Sequence, residues 1–298
     1  MNRRKFLQLV AAATAAAAIR PHDLPAQSAK KRDIKKGMWY ASAPGAGPLE
    51  KFKAIKTAGF DGVEPPSHLD QDEVMRARDE SGLEIMDVSC GQHSRALSSP
   101  DPAKRTQAVE GVKQALRDAK RYGATSILVV PGVVNESTSY ADNYQRVQTE
   151  LRKAVPLAED LGVKMAFENV WNHFLLSPTE AARFVDEFNS PAVGWHFDVG
   201  NVIYLGWPEH WIRILGKRIQ KLHIKEYSRK KLNEKGQRAG FSVEFLEGDN
   251  DWPAVMKALD EIGYHGWATA EPAWKPESVD PATRLRQIAG KMDRILAL

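Results

Sequence analysis

From Ile34 onward, short apolar runs alternate with longer amphipathic ones eight times, with no hairpin signal between them. That alternation constrains the fold more than any other feature. The strand candidates are IKKGMWYA (34–41), FDGVE (60–64), LEIMDVSC (83–90), TSILVVPG (125–132), KMAFEN (164–169), VGWHFD (193–198), QKLHIKE (220–226) and GWATAE (266–271). TSILVVPG is continuously aliphatic, which suits a sheet covered on both faces. Between the runs lie helix-like stretches with stop signals, such as DQDEVMRARDES before Gly82. Asp101 and Pro102 form a cap and first residue for a helix whose apolar face, Val109, Val112, Leu116, Ala119 and Tyr122, ends at Gly123. A single long helix is expected from about Tyr140 to Leu161. Ser177 and Glu180 have the spacing of a capping box. The polar stretch from Tyr227 to Asn250 shows no core pattern. Count and alternation together predict an α/β chain folded as a parallel (β/α)8 TIM barrel, with an open doubly wound sheet as the alternative.

The length of 298 residues accommodates one such barrel and little else, since barrels of this kind use about 250 residues. The first thirty residues read differently. MNRRKFLQ sets two adjacent arginines before LVAAATAAAAI, an apolar run too short to anchor in a bilayer, and small residues near Ala26 offer a cleavage point. This pattern predicts a twin-arginine export signal and linker over 1–30, a barrel over 31–298, and a periplasmic or otherwise exported protein. Cleavage near Ala26 would remove Arg3, Arg4, Lys5 and Arg20 against Asp23 alone, so the net charge of +4 would fall to +1. A nucleic-acid binder is expected to keep a basic face, so no nucleic-acid partner is expected. Cys90 is the only cysteine, which excludes an intrachain disulfide. No membrane anchor is expected, and the oligomeric state, a homo-oligomer among the options, is left open.

The apolar runs of four consecutive strand candidates, KMAFE, VGWHFD, IQKLH and WATAE, stop on a potential ligand: Glu168, Asp198, His223 and Glu271. A carboxylate at the end of a buried strand is costly unless paired, and a cation is one good partner. In a (β/α)8 barrel the C-terminal ends of the strands converge on the active-site face. Three carboxylates and one imidazole suit one divalent ion, Mn²⁺, Mg²⁺, Co²⁺ or Zn²⁺, with water or substrate completing the shell. A structural zinc site would more often use cysteines.

The segments FEN (167–169), HFDVGN (196–201), LHIKEYS (222–228) and AEPAW (270–274) resemble the xylose isomerase-like superfamily of TIM barrels. Within it they are most similar to sugar phosphate isomerases/epimerases, the group that includes ketose 3-epimerases. The resemblance implies that Glu168, Asp198, His223 and Glu271 bind the metal. It also implies that Glu168 and Glu271 act as an acid/base pair on opposite faces of a sugar or keto-sugar. Arg229 matches a family arginine that touches substrate oxygens. Family epimerases commonly carry a histidine three residues after the aspartate, where this chain has Asn201, able to hydrogen-bond a sugar but not to carry a proton near neutrality. Glu64, His93, His196 and Trp274 complete the expected substrate-binding set, with His196 also suited to a buried supporting place. Trp171, Trp207 and Trp274 sit after strand ends and could stack on a sugar face. Lys225, Arg229, Lys230, Lys231, Lys235 and Arg238 cluster in the seventh loop, as an anion site or a solvated lid.

The expected activity is a metal-dependent sugar isomerase or epimerase working by proton abstraction beside a carbonyl, through an ene-diolate. A lyase that eliminates the aglycone of a 3-keto-glycoside with the same groups is the second reading. A noncatalytic sugar-binding barrel is the third. Endonuclease IV, a DNA-repair member of the superfamily, fits poorly with the near-neutral mature charge.

Overall fold

The computed structural model describes residues 32–273 and 279–298. The expected export signal lies outside the described residues, as does Trp274. Nine β-segments form one all-parallel sheet: β1 (Ile34–Trp39), β2 (Gly62–Glu64), β3 (Glu84–Ile85), β4 (Val88–Ser89), β5 (Ser126–Val129), β6 (Lys164–Glu168), β7 (Val193–Asp198), β8 (Ile219–Ile224) and β9 (Gly266–Ala270). Their order in the sheet is β3-β2-β1-β9-β8-β7-β6-β5-β4. The two edges, β3 and β4, are halves of the third predicted strand, interrupted at Met86 and Asp87. β3 pairs with β2 and β4 pairs with β5, so the sheet closes on itself as a barrel. Ser67 N donates to Ser89 O and Ser89 N to Pro65 O, both at 2.9 Å, which ties the end of β2 directly to β4. The eight expected strands are therefore present, and the open sheet is excluded.

The break in the third strand has a use. It lets Asp87, wholly buried, accept from Ser126 Oγ at 2.7 Å while facing His196 Nδ1 at 3.1 Å. Irregularities of this kind re-aim side chains near functional sites.

The helices cover the outside. The Pro102–Tyr122 helix begins as expected, with Asp101 accepting from Ala103 N, and ends at Gly123 in the left-handed conformation (φ 84°). Its face of Val109, Val112, Leu116, Ala119 and Tyr122 is buried against the sheet. Ser177 Oγ caps Glu180 N, but the Glu180 carboxylate accepts from Tyr140 OH at 2.5 Å, so only half of the capping box forms. Phe184 is fully buried among Tyr144, Phe167, Phe174 and Phe188, with ring centroids 5.0–5.6 Å away. Truncating such a residue to alanine costs about 3–5 kcal/mol.

Two expectations need correction. The continuous helix from Tyr140 to Leu161 is two helices, Tyr140–Arg152 and Val155–Leu161. Pro156 lacks the N–H that would bond Arg152 O and its ring crowds that carbonyl, so the helix stops and restarts. The stretch from Tyr227 to Asn250 is also not devoid of core. It contains a helix (Arg229–Lys235) and a 3-10 turn (Gln237–Phe241), and it buries Tyr227, Val243 and Phe245. Its anchor is Glu226, whose buried carboxylate accepts from Leu246 N and Trp252 Nε1 at 2.9 Å each, Asn250 N at 3.3 Å and Tyr227 N at 3.4 Å. Charges and glycines hid this loop because its cohesion is polar and local. No helix among the described residues is long and apolar enough to cross a membrane.

Candidate metal centre and catalytic cavity

β6, β7, β8 and β9 are neighbours in the sheet, and their registers align Asp198 with His223 and Ile224 with Ala270. Side chains at the strand ends therefore meet. One donor atom from each of Glu168, Asp198, His223 and Glu271 lies within 4.8 Å of the others. His223 Nδ1 is 3.2 Å from Glu168 Oε1, 3.1 Å from Glu271 Oε2 and 3.9 Å from Asp198 Oδ2. Neighbouring asparagines hold these ends in place. Asn169 Oδ1 accepts from Asp198 N at 3.0 Å and from Trp195 Nε1 at 3.1 Å, while its amide donates to Asp198 O at 2.7 Å. Asn201 N donates to Asp198 Oδ1 at 2.8 Å, and its side chain donates to Asn169 O at 2.9 Å. The FEN and DVGN motifs are thus a clamp between two strand ends.

Lys225 completes the centre. Two residues after His223, its buried ammonium lies 2.8 Å from Glu271 Oε1 and 3.2 Å from Asp198 Oδ2. Gly200 makes room for it, because a Cβ there would stand 2.8 Å from Lys225 Cβ and Lys225 O. Burial opposes the charged form of Lys225, but Asp198, Glu271 and Glu168 outweigh it and hold the ammonium well above its ordinary value. Burial likewise pushes His223 down, and Glu64, Glu168 and Glu271 more than reverse it. Burial raises the Asp198 carboxyl, with Lys225 opposing and Glu271 and Glu168 adding to the rise. Glu271 is held below the usual carboxylate range, because Lys225 and His223 overcome its burial.

The donor set fits one divalent ion. Three acids crowd around a single imidazole nitrogen, and Glu271 and Glu168 add to the rise that burial imposes on the Asp198 carboxyl. A divalent cation held by Glu168, Asp198, His223 and Glu271 would relieve the repulsion among these acids. Glu271 Oε2 is buried with no hydrogen-bond partner despite its nearness to His223, an orphaned acceptor of the kind a metal satisfies.

A cavity of about 770 Å³ opens over the centre, within the usual size range for small-molecule sites. Glu168, His223, Lys225 and Glu271 line its floor, and Asn201 joins the wall. Trp39, Tyr40, Trp171 and Phe241 supply aromatic faces, and Arg95 and Arg238 reach it from two loops. Of the charged seventh-loop cluster, Lys225 and Arg238 face the cavity.

Four expected substrate residues sit elsewhere. Glu64 is wholly buried below the centre, its Oε2 2.9 Å from His223 Nε2. His196 is also wholly buried, its ring 4.1 Å from that of His223. His93 stacks on His68 at 3.8 Å outside the cavity wall. Arg229 donates to Ile203 O at 3.1 Å and Gly206 O at 3.0 Å, so it ties two loops together away from the cavity lining. Sequence reasoning placed Lys225 only within the charged seventh-loop cluster, as part of an anion site or a solvated lid, and passed over Arg95. For Lys225 the signal was available: it lies two residues beyond His223, on the same inward face of an extended chain.

The profile of the xylose isomerase-like TIM barrel family matches residues 52–294. Inosose dehydratase from Clostridium perfringens is 24% identical over 152 residues, covering 47% of this chain and 50% of that enzyme. Among solved structures, 3-keto-D-glucoside 4-epimerase from E. coli superposes with a TM-score of 0.75 at 19% identity, covering 88% of this chain and 99% of that one. D-psicose 3-epimerase, crystallised in the presence of D-fructose, gives a TM-score of 0.73 at 18% identity, covering 89% and 100%. With 243 consecutive residues matched, the barrel closed and the ligand-bearing strand ends gathered on one face, the chain belongs to the xylose isomerase-like TIM barrel family.

Proposed function

We propose that this chain is a divalent-metal-dependent sugar epimerase or isomerase that abstracts a proton beside a carbonyl and returns it through an ene-diolate. The observation that carries the reading is the meeting of Glu168, Asp198, His223 and Glu271 under one sugar-sized cavity. When bound there, the metal supplies Lewis-acid stabilisation of the negative charge that develops on substrate oxygen. Glu168 and Glu271 project from β6 and β9, which β7 and β8 separate, so they can approach a bound sugar from two sides. One takes the proton and the other delivers it. Lys225, beside Glu271 Oε1, keeps that carboxylate in its ionised form. Aromatic walls at Trp39 and Trp171 exclude water and present faces to sugar C–H groups.

Elimination of a β-substituent, as from a 3-keto-glycoside, is the second outcome of the same enolisation. It is favoured by the similarity to a dehydratase and by an ammonium at Lys225 that can face a departing oxygen. The twin arginines Arg3 and Arg4 support action outside the cytoplasm on a free sugar or keto-glycoside.

The test is incubation of the purified, metal-quantified chain in D₂O with ketoses and 3-keto-glycosides, beside Glu168→Gln. Bound metal, with deuterium entering beside the carbonyl in the wild type alone, is expected. Epimer or isomer without aglycone release marks the first outcome, and released aglycone marks the second. A chain that binds no metal and exchanges no deuterium sinks both and leaves a sugar-binding barrel.

A further inference from the structure

We propose that Glu64 is a positioning residue for the metal centre: by holding the proton of His223 on Nε2, it keeps Nδ1 free as the ligand atom. This inference rests on the metal-binding part of the function proposed above.

Glu64 ends β2, on the far side of the barrel from β7, and Pro65 and Pro66 follow it at once. Its carboxylate is wholly buried and lines no cavity among those over the centre. A buried acid is costly unless it performs a pairing function. Here its Oε2 lies 2.9 Å from His223 Nε2, with hydrogen-bond geometry.

The opposite edge of the same ring shows why the contact matters. His223 Nδ1 faces three carboxylates, Glu168, Glu271 and Asp198, at 3.2, 3.1 and 3.9 Å. A neutral imidazole carries one ring proton, and its other nitrogen is the ligand. With three acids on the Nδ1 edge, a proton there would find acceptors waiting and would occupy the position the metal needs. Glu64 is the carboxylate on the Nε2 edge that draws the proton the other way. Hydrogen bonding at one ring nitrogen sets which nitrogen binds a metal, and loss of such a partner commonly weakens metal affinity about 10–100-fold.

The ring is also braced. His196 packs edge-to-face on His223 at 4.1 Å, and His196 Nδ1 in turn faces Asp87 Oδ2 at 3.1 Å, with Ser126 Oγ bonded to Asp87 Oδ1. His223 therefore cannot flip to exchange its nitrogens without displacing a buried neighbour.

The experiment measures Zn²⁺ affinity by calorimetry for the wild type, Glu64→Gln and Glu64→Leu, with ¹⁵N spectra of the histidine rings recorded in the presence of this diamagnetic ion. Circular dichroism checks that each variant is folded. Wild type is expected to bind one equivalent with the Nε2–H tautomer at His223. Glu64→Leu should lose about 10–100-fold in affinity and shift the proton toward Nδ1. Glu64→Gln, whose amide oxygen can still accept the Nε2–H, should keep the tautomer and most of the affinity. If Glu64→Leu folds, binds as tightly as wild type and keeps the Nε2–H tautomer, the inference is overturned. Two equivalents in wild type and one in Glu64→Leu would overturn it as well, making Glu64 a ligand of a second ion with His196 and His223. Should Glu64→Leu fail to fold, Glu64→Gln decides: a tenfold loss with retained fold and a displaced proton overturns the acceptor role. A wild type that binds no metal instead sinks the function proposal.

Discussion

Replacing Glu226 by glutamine tests whether one buried carboxylate holds the loop that closes the cavity. Glu226 Oε2 accepts from Leu246 N and Trp252 Nε1 at 2.9 Å, and Oε1 from Asn250 N and Tyr227 N at 3.3 and 3.4 Å. Glutamine keeps one oxygen and turns the other into an NH₂ donor. The amide will orient its oxygen to the two short bonds, so the two long-bonded N–H groups lose their acceptor and face another donor. Each orphaned buried donor costs about 1–3 kcal/mol. The long bonds argue for the low end, and burial, which raises the Glu226 carboxyl against its four hydrogen bonds, means that the neutral amide recovers some desolvation cost. The net is about 2 kcal/mol. For a domain of this size that corresponds to a melting temperature lower by about 4–8 °C. The loss should be local in origin, so amide hydrogen exchange should rise across residues 227–250 and not in the helix Pro102–Tyr122. Arg238 and Phe241 ride on this loop into the cavity wall, so substrate affinity should fall with it. Unchanged exchange in 227–250 together with a melting temperature within about 1 °C of wild type would refute the anchoring role.

Two further outcomes follow from the electrostatics. In Lys225→Met the Glu271 carboxylate loses the ammonium that holds it below its usual range, so its pKa rises and it stays protonated to higher pH. The acid limb of kcat/KM for the substrate turned over should then move to higher pH; an unmoved limb would refute the coupling. Burial pushes the Cys90 thiol up to about 12, so on the order of one molecule in ten thousand carries a thiolate at pH 8. Iodoacetamide should label it only after denaturation, and fast labelling of the native chain would contradict the burial. Because the folded thiol keeps its proton where the unfolded one has lost it, this group's stabilising contribution declines as pH rises above the unfolded thiol's value of about 8.5.

Strand ends were readable because period-two chains put residues of one parity on one face, and abrupt acids after aliphatic runs have few unfunctional explanations. That logic located Glu168, Asp198, His223 and Glu271, and the structure brings them together. It said less about residues whose reach depends on the turn that follows. Glu64 also ends a strand, yet it points under the centre, and Arg229 spends its guanidinium on two carbonyls because the loop from Tyr227 curls back on itself. His93 sits on a short helix that turns it toward His68. The interruption at Met86 and Asp87 left a single mark in the sequence, the acid Asp87 inside a mostly apolar run. Lys225 was legible by parity but looked like the start of a charged lid, because a buried lysine is recognisable only once its acidic partners are placed.

The four donors come from β6, β7, β8 and β9, one contiguous arc of the barrel. The remaining arc, β1 through β5, supplies the cavity with Trp39, Tyr40, Gln92, Arg95 and Val130. All four donors thus sit in one half of the ring, whereas the cavity wall is drawn from both halves, with Trp171, Asn201, Arg238 and Phe241 on the donor side. Side chains on the loops after β1 to β5 can therefore reshape one side of the cavity wall while every residue of the donor set stays in place.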